Sequence, residues 1–308
     1  MQSLRGRDLL SLSDLSADEL AQLLAFAADL KAGKRQPQFP NKVLGLLFRK
    51  ASTRTRVSFS VAMYQLGGQV LDLHSAVTQV SRGEPTSDTA RVLDRYLDVV
   101  AIRTFDQSEI EEFADYAHIP VINALTDLEH PCQILADLLT VQEAFGDLKG
   151  LTLTYLGDGN NVAHSLLLGC AMVGMNVHIA SPDGYAPDPT IVQKAKDLMI
   201  HDGKILITQD PEVAAKDAQV LYTDVWASMG QEAVADQRLP VFQPYQVNSN
   251  LLSQASADAI VLHCLPAHRE EEITAEVLEG SASRVWDQAE NRMHAQKALL
   301  ASVLECRV

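Results

Sequence analysis

Cysteine, aromatic residues and positive charge are all scarce in this chain. Its four cysteines (Cys132, Cys170, Cys264, Cys306) stand far apart with no CxxC pair among them, which excludes the paired-cysteine zinc knuckle and the dithiol redox motif. A chain this long needs no disulfide framework, so reduced thiols are expected. Lys and Arg number 25 against 40 Asp and Glu, for a formal net charge of -15. That balance argues against nucleic acid or an anionic membrane surface as a partner, because both select a basic face. No unbroken apolar run approaches the roughly 20 residues of a membrane span, and the opening MQSLRGRDLL lacks the apolar core of a signal peptide. A cytoplasmic location is the expectation. Solenoid-length repeats and low-complexity tracts are also missing.

What is present suits two domains of about 150 residues each. Apolar positions from Leu20 to Leu30 recur at helical spacing before Gly and two prolines break the pattern. Short apolar strands follow (KVLGLLF, QVLDL, the run ending at Arg103, IPVINAL), alternating with helices, the last of them HPCQILADLLTVQEAF with Pro131 in its first turn. Gly146 to Gly150 reads as a junction. Beyond it the alternation restarts with LTLTYLG, NVHIA, KILIT, QVLYTDV, AIVLHCL and SRVWD as strands, and a final amphipathic helix from about residue 291 to 304. The pattern predicts an α/β fold: two successive α/β domains, each with a mainly parallel sheet flanked by helices. Ligands in such folds sit at the carboxyl ends of strands.

Several clusters fall at those ends. Ser52-Thr53-Arg54-Thr55-Arg56 opens a helix in an otherwise acidic chain. Hydroxyls and backbone N–H groups at a helix N-terminus bind anions, and arginine forks onto phosphate oxygens. The plainer alternative is a hydroxyl N-cap followed by solvated arginines, although cations in a first turn oppose the helix dipole unless an anion is bound. Arg103 ends an apolar strand, where an unpaired charge is costly; a salt bridge to Asp98 or Asp106 is its structural alternative. The loop Gly157-Asp158-Gly159-Asn160-Asn161 invites a dinucleotide reading, but Val162 stands where the fingerprint needs glycine and Ser181-Pro182 where it needs an acid. The loop is better suited to presenting Asn160 or Asn161 to a small polar ligand.

His130-Pro131-Cys132-Gln133 and His263-Cys264-Leu265-Pro266 together hold the ligand types of a zinc site at spacings unlike its usual motifs. A buried histidine satisfied by backbone is the plain alternative for each. Cys264 activated by His263 as a nucleophile is disfavoured, since neighbours in a strand face opposite ways. Asp224, at the end of QVLYT, suits an amine, and Ser228-Met229-Gly230 after it reads as a small-residue loop suited to closing over a ligand, with a solvent loop and helix cap as the plain alternative.

STRTR, HPCQ, DVWASMG, HCLPA and AENR stand in an order and spacing that resembles the aspartate/ornithine carbamoyltransferase family, over essentially the whole chain. STRTR alone resembles the wider family; HPCQ, the Asp224 to Gly230 loop and HCLP together are similar to its ornithine branch. The resemblance implies a carbamoyl phosphate-binding domain over 1–147 and an ornithine-binding domain over 148–308, with the C-terminal helix expected to pack back on the first domain. It implies that Ser52, Thr53, Arg54 and Thr55 hold the phosphate, that Arg103, His130 and Gln133 hold the carbamoyl end with Cys264, Leu265 and Arg292, and that Gln79 reaches a neighbouring subunit's site in a homotrimer or multiple of trimers. Arg103, His130, Cys264 and Thr55 are the residues it places at the chemistry, and Asn161, Asp224, Ser228 and Met229 are those it places around ornithine. It further implies no metal and no nucleotide cofactor. The chain departs from the family at Arg49, where many members carry glutamate.

The implied reaction is attack of the ornithine δ-amine on the carbonyl carbon of carbamoyl phosphate, releasing phosphate and giving citrulline. Carbamoylation of aspartate, putrescine or an acylated ornithine is the near alternative. A zinc hydrolase and a non-catalytic ligand-binding protein are the distant ones.

Overall fold

A computed structural model of the chain describes residues 4–74, 79, 83–227 and 235–304. The chain divides into two compact units, Met1–Leu139 with Glu290–Val308, and Thr140–Ala289. In the first, helix α1 (Ala17–Lys31) starts at Ser16, which accepts from the Glu19 backbone while the Glu19 carboxylate accepts from Ser16, and it buries Leu20, Leu23, Leu24, Ala27 and Leu30. Then come β1 (Val43–Phe48), α2 (Arg54–Gln65), β2 (Gln69–His74), α3 (Thr86–Leu93), β3 (Val99–Arg103), α4 (Gln107–Tyr116), β4 (Val121–Leu125) and α5 (Pro131–Phe145). The strands form one parallel sheet in the order β2-β1-β3-β4. Every residue of β3 and β4 is buried, which is why both read as unbroken apolar runs rather than alternating ones. Leu47, Val100, Ile102, Ile110, Phe113 and Val121 join on one face of this sheet as a core cluster.

The second unit runs β5 (Thr152–Leu156), α6 (Asn161–Val173), β6 (Asn176–Ala180), α7 (Pro189–Leu198), β7 (Ile205–Thr208), α8 (Pro211–Ala215), β8 (Val220–Thr223), α9 (Ala235–Phe242), α10 (Ser249–Leu252), β9 (Ile260–His263) and α11 (Ala275–Leu278). Its strands are again all parallel, in the order β7-β6-β5-β8-β9. The expectation of two parallel sheets flanked by helices therefore holds. In both sheets the winding reverses beside the first strand, between β1 and β3 and between β5 and β8, and crevices for ligands open at such reversals.

One expected strand is absent. SRVWD pairs with β9 through a single bridge, Ser283 with Val261, and the chain then enters helix α12 (Val285–Leu304), six residues before the expected start at about 291. Val285 and Trp286 suggested a strand, but Trp286 is 54% exposed, so a strand here has no second face to bury. The helix-favouring Gln288, Ala289 and Glu290 that follow extend the turn begun at Val285 instead.

Candidate active site

In the first unit, candidate residues gather at the carboxyl ends of β1 and β3. Phe48, the last residue of β1, lies in register with Arg103, the last of β3, and the Arg49 N–H donates to the Arg103 carbonyl at 2.8 Å. Beyond Phe48 the chain turns into α2, whose N-cap position is Thr53; no side chain caps this helix. The simple N-cap reading of Ser52 and Thr53 therefore fails. The first backbone N–H groups of α2 are left without a cap from Thr53, the condition under which a helix start binds an anion.

Thr55 is turned inward, 1% exposed. Its Oγ1 accepts from Arg292 Nη2 at 2.7 Å, and Arg292 Nη1 donates to Gln133 Oε1 at 2.7 Å. Gln133 Nε2 in turn donates to Asp137 Oδ1 at 2.8 Å. The orientation of the Gln133 amide follows from chemistry, because guanidinium only donates and an ionised carboxylate only accepts. Thr55, already accepting from Arg292, has its own O–H to give elsewhere, so the chain Asp137–Gln133–Arg292–Thr55 ends in a hydroxyl prepared to donate.

Arg103 is 7% exposed and His130 is 5% exposed. Burial first, then the positive charges of Arg292 and Arg103, hold the His130 imidazole well below its ordinary pKa, so the ring is neutral at physiological pH. Asp98, one candidate salt-bridge partner for Arg103, is committed to Lys42 Nζ at 2.6 Å and the Val43 N–H at 2.9 Å. Cys132 is buried, its Sγ 3.4 Å from the Asn123 carbonyl, and burial pushes the thiol up to about 12. It behaves as a core side chain. Gln79 is exposed.

Three neighbouring cations are occupied. Arg56 pairs with Asp72 and lies 5.3 Å from the centre of the Phe48 ring. Lys50 pairs with Asp127 and sits 4.3 Å over Phe105. Arg49, the departure from the family pattern, is matched by Glu109 at 2.5 Å, so the reversed charge has an acid of its own.

In the second unit, candidate residues lie at the ends of β5, β8 and β9. Asp224 follows β8 and is 7% exposed. Its Oδ1 receives the Cys264 thiol at 2.9 Å and the Val225 N–H at 2.8 Å, and its Oδ2 receives Asn160 Nδ2 at 3.1 Å. Asn160 Oδ1 meanwhile caps α6, accepting from Val162 N at 2.9 Å and Ala163 N at 3.3 Å. Of the two asparagines, Asn160 is thus spent on structure at both ends of its amide, while Asn161 is the half-buried first residue of α6. Gly159 is needed for a reason unrelated to nucleotides: a Cβ there would lie 2.3 Å from Pro187 N. Val162, where a dinucleotide loop has glycine, is 2% exposed.

Arg238, near the start of α9, braces this cluster. Its Nη1 donates to Asp158 Oδ2 and to the Trp226 carbonyl, both at 2.6 Å, and its guanidinium carbon stands 5.0 Å from the Tyr185 ring centre. Burial pushes the Asp158 carboxyl up and the Arg238 contact opposes that rise. Nothing in the spacing of a single sequence marks Asp158, Arg238 or Asp137 as parts of these networks. Ser228 and Met229 lie outside the described residues.

His263 ends β9, and both its ring nitrogens are engaged: Nδ1 accepts from Leu265 N at 2.8 Å and Nε2 meets Glu272 Oε1 at 2.9 Å. It has no nitrogen left to act as base for Cys264. The zinc alternative drew His130 and Cys132 from one unit and His263 and Cys264 from the other. Among the described residues, the ligand-like groupings are Asp224–His263–Cys264 and His268–Glu271–Glu272, and neither contains His130 or Cys132.

Comparison with known proteins decides the family. Residues 7–143 match the family described as "Aspartate/ornithine carbamoyltransferase, carbamoyl-P binding domain" and residues 149–303 its "Asp/Orn binding domain". The chain belongs to the aspartate/ornithine carbamoyltransferase family. Among its family relatives, an ornithine carbamoyltransferase of Nostoc punctiforme is 69% identical over 304 residues, covering 99% of each chain. The solved ornithine carbamoyltransferase of Pyrococcus furiosus is 48% identical, with a TM-score of 0.95 over 99% of both chains. That of Gloeobacter violaceus is 58% identical, with a TM-score of 0.89 over 96% of this chain and 98% of its own. No described helix is long and apolar enough to cross a membrane.

Proposed function

We propose that this chain is an ornithine carbamoyltransferase, moving the carbamoyl group of carbamoyl phosphate to the δ-amine of L-ornithine and giving L-citrulline and phosphate. The observation that carries the choice of amine is Asp224. Its buried carboxylate is held by a thiol, an amide and a backbone N–H, and among the described residues no ion pair with a cation involves it. A buried carboxylate held only by neutral donors is completed by an ammonium ligand. That suits ornithine, whereas aspartate brings a second carboxylate to the same place. A panel of ornithine, aspartate, putrescine and N-acetylornithine with carbamoyl phosphate tests the assignment. Citrulline formation at the highest kcat/KM is expected, and preference for another amine overturns it.

In this reading Ser52, Thr53, Arg54 and Thr55 hold the phosphate, while Arg103, His130 and Thr55 donate toward the carbonyl oxygen as charge gathers on it. The neutral His130 ring retains an N–H donor for that task, and preorganised donors of this kind supply much of the stabilisation in acyl transfer. Gln133, Arg292, Cys264 and Leu265 complete the carbamoyl pocket; Asn161, Asp224, Ser228 and Met229 receive ornithine. The neutral amine attacks, the new C–N bond forms as the C–O bond to phosphate breaks, and the departing phosphate takes up the proton released by the amine nitrogen. Placing the two reactants contributes up to roughly 7–11 kcal/mol in favourable cases.

The pH profile follows from the amine. An ornithine δ-amine titrates near the lysine value of about 10.4 and attacks only when neutral. His130, held well below its ordinary pKa by burial, Arg292 and Arg103, stays neutral as pH rises from 6 to 9. With chemistry limiting, kcat/KM for ornithine should therefore climb by about tenfold per pH unit over that range. A flat profile under the same conditions refutes the neutral-amine requirement.

The proposal extends to residues 1–147 as the carbamoyl phosphate-binding domain and 148–308 as the ornithine-binding domain, to a cytoplasmic enzyme of arginine biosynthesis, and to a homotrimer. Support for assembly comes from the edge strand β2, largely exposed along its length, and from Val57, Tyr64 and Leu71, which stand 54%, 59% and 48% exposed on α2 and β2. Apolar side chains on an unpaired strand edge favour burial against another chain.

A further inference from the structure

The segment before α1 lies along the outer edge of the first sheet. Leu9 pairs with Ile122 of β4, its N–H donating to the Val121 carbonyl at 2.9 Å and its carbonyl accepting from the Asn123 N–H at 2.8 Å. The Leu10 carbonyl accepts from Asn123 Nδ2 at 2.9 Å. The chain then makes the short turn Leu12–Asp14, closed by a reciprocal cap between Ser11 and Asp14. Leu12 is fully buried beneath it.

That turn grips Glu129, the residue before His130. Glu129 is 1% exposed. Its Oε1 accepts from Ser11 Oγ at 2.5 Å and its Oε2 from the Leu12 N–H at 3.2 Å. An ionised carboxylate only accepts, so the one Ser11 hydroxyl proton points at it, and bonds to an ionised acceptor are the stronger kind. The Glu129 backbone is held as well: its N–H donates to Thr126 Oγ1 at 3.2 Å and its carbonyl accepts from the Thr126 N–H at 2.9 Å. On the other side of His130 stands Pro131, the first residue of α5, whose ring fixes φ. His130 is thus set between two restrained neighbours, and the backbone limits the rotamers open to its ring.

We propose that Glu129 is a positioning residue for carbamoyl transfer: clamped by Ser11 and Leu12 of the N-terminal turn, it holds the backbone from which His130 reaches the reacting carbonyl. The proposal rests on the ornithine carbamoyltransferase reading above, and its test separates the two. In Glu129→Ala, kcat should fall by about 100-fold, the scale of a misplacement near 1 Å, with KM for ornithine within about twofold of the parent. Ser11→Ala leaves the Leu12 N–H on the carboxylate and should cost about tenfold in kcat. Ser11→Thr keeps both the hydroxyl and the cap, and should stay within about threefold. Residues that act as one unit do not add. Ser11→Ala combined with Glu129→Ala should therefore be no slower than Glu129→Ala alone, and in a His130→Ala background Glu129→Ala should cost less than about threefold more.

If Glu129→Ala does not fold, Ser11→Ala and Ser11→Thr, each also made with His130→Ala, carry the same comparison. A lower melting temperature with parent-like kcat in Glu129→Ala overturns the proposal, because it marks a purely structural bond. So does an equal loss with and without His130, or full additivity of Ser11→Ala and Glu129→Ala. A parent protein that makes no citrulline overturns the assigned reaction instead. The clamp is then judged by calorimetry with carbamoyl phosphate, where Kd should rise by about fivefold in Glu129→Ala and an unchanged Kd overturns it.

Discussion

Arg292→Ala is expected to lower kcat/KM for carbamoyl phosphate by about 10³-fold, at the upper end of what loss of one preorganised donor costs. The guanidinium bonds Thr55 and Gln133 at once, 2.7 Å from each, and it is 3% exposed. Truncation therefore removes a charge and strands two buried polar groups. Hydrogen bonds to a charged group contribute about 1.5–3 kcal/mol each, so a lower melting temperature accompanies the kinetic loss. Arg292→Lys separates the effects: the charge returns, but one ammonium lacks the fork that spans both partners. It should recover about tenfold of the loss, measured as citrulline formed at saturating ornithine. Full activity in Arg292→Lys would show that charge alone suffices and that the fork has no role.

Arg103 and Arg56 make the second contrast, since both are arginines close to the start of α2 or the end of β1. Arg103 is 7% exposed at the end of β3, beside the β1/β3 reversal, and its positive charge reaches His130. Arg103→Ala should cost about 10³-fold in kcat. Arg56 faces Asp72 with a side chain 25% exposed, and exposed pairs contribute about 0–1 kcal/mol. Arg56→Ala should stay within about fivefold of the parent in kcat. Comparable losses in the two variants, measured with both proteins folded, would remove Arg103 from the chemistry.

The features legible in the sequence were those whose signal is local. Strands β3 and β4 announce themselves as apolar runs, and STRTR is a short-range excess of hydroxyl and charge. SRVWD misled for the same reason: two residues typical of strands outweighed the solvent exposure of Trp286, which only the fold determines. Glu272, Asp137 and Arg238 were illegible for another reason. Each acts through partners brought to it by folding, such as Asp158, 80 positions from Arg238, and an isolated acid or amide in a sequence carries no mark of its partner. Between asparagines 160 and 161 the sequence left the choice open; in the structure Asn160 has both ends of its amide in use.

That double use gives Asn160 a vulnerability of its own. By capping preference alone aspartate is its equal, and the two side chains differ by one terminal group. Yet an oxygen in place of Nδ2 would face Asp224 Oδ2 at 3.1 Å, acceptor against acceptor and charge against charge. Hydrolysis of this one side-chain amide, the slow damage to which asparagine is prone, would leave the helix capped and the fold recognisable while setting two carboxylates against each other at the site proposed for the amine. The age of a preparation would then be written in its ornithine affinity before it showed in its melting temperature.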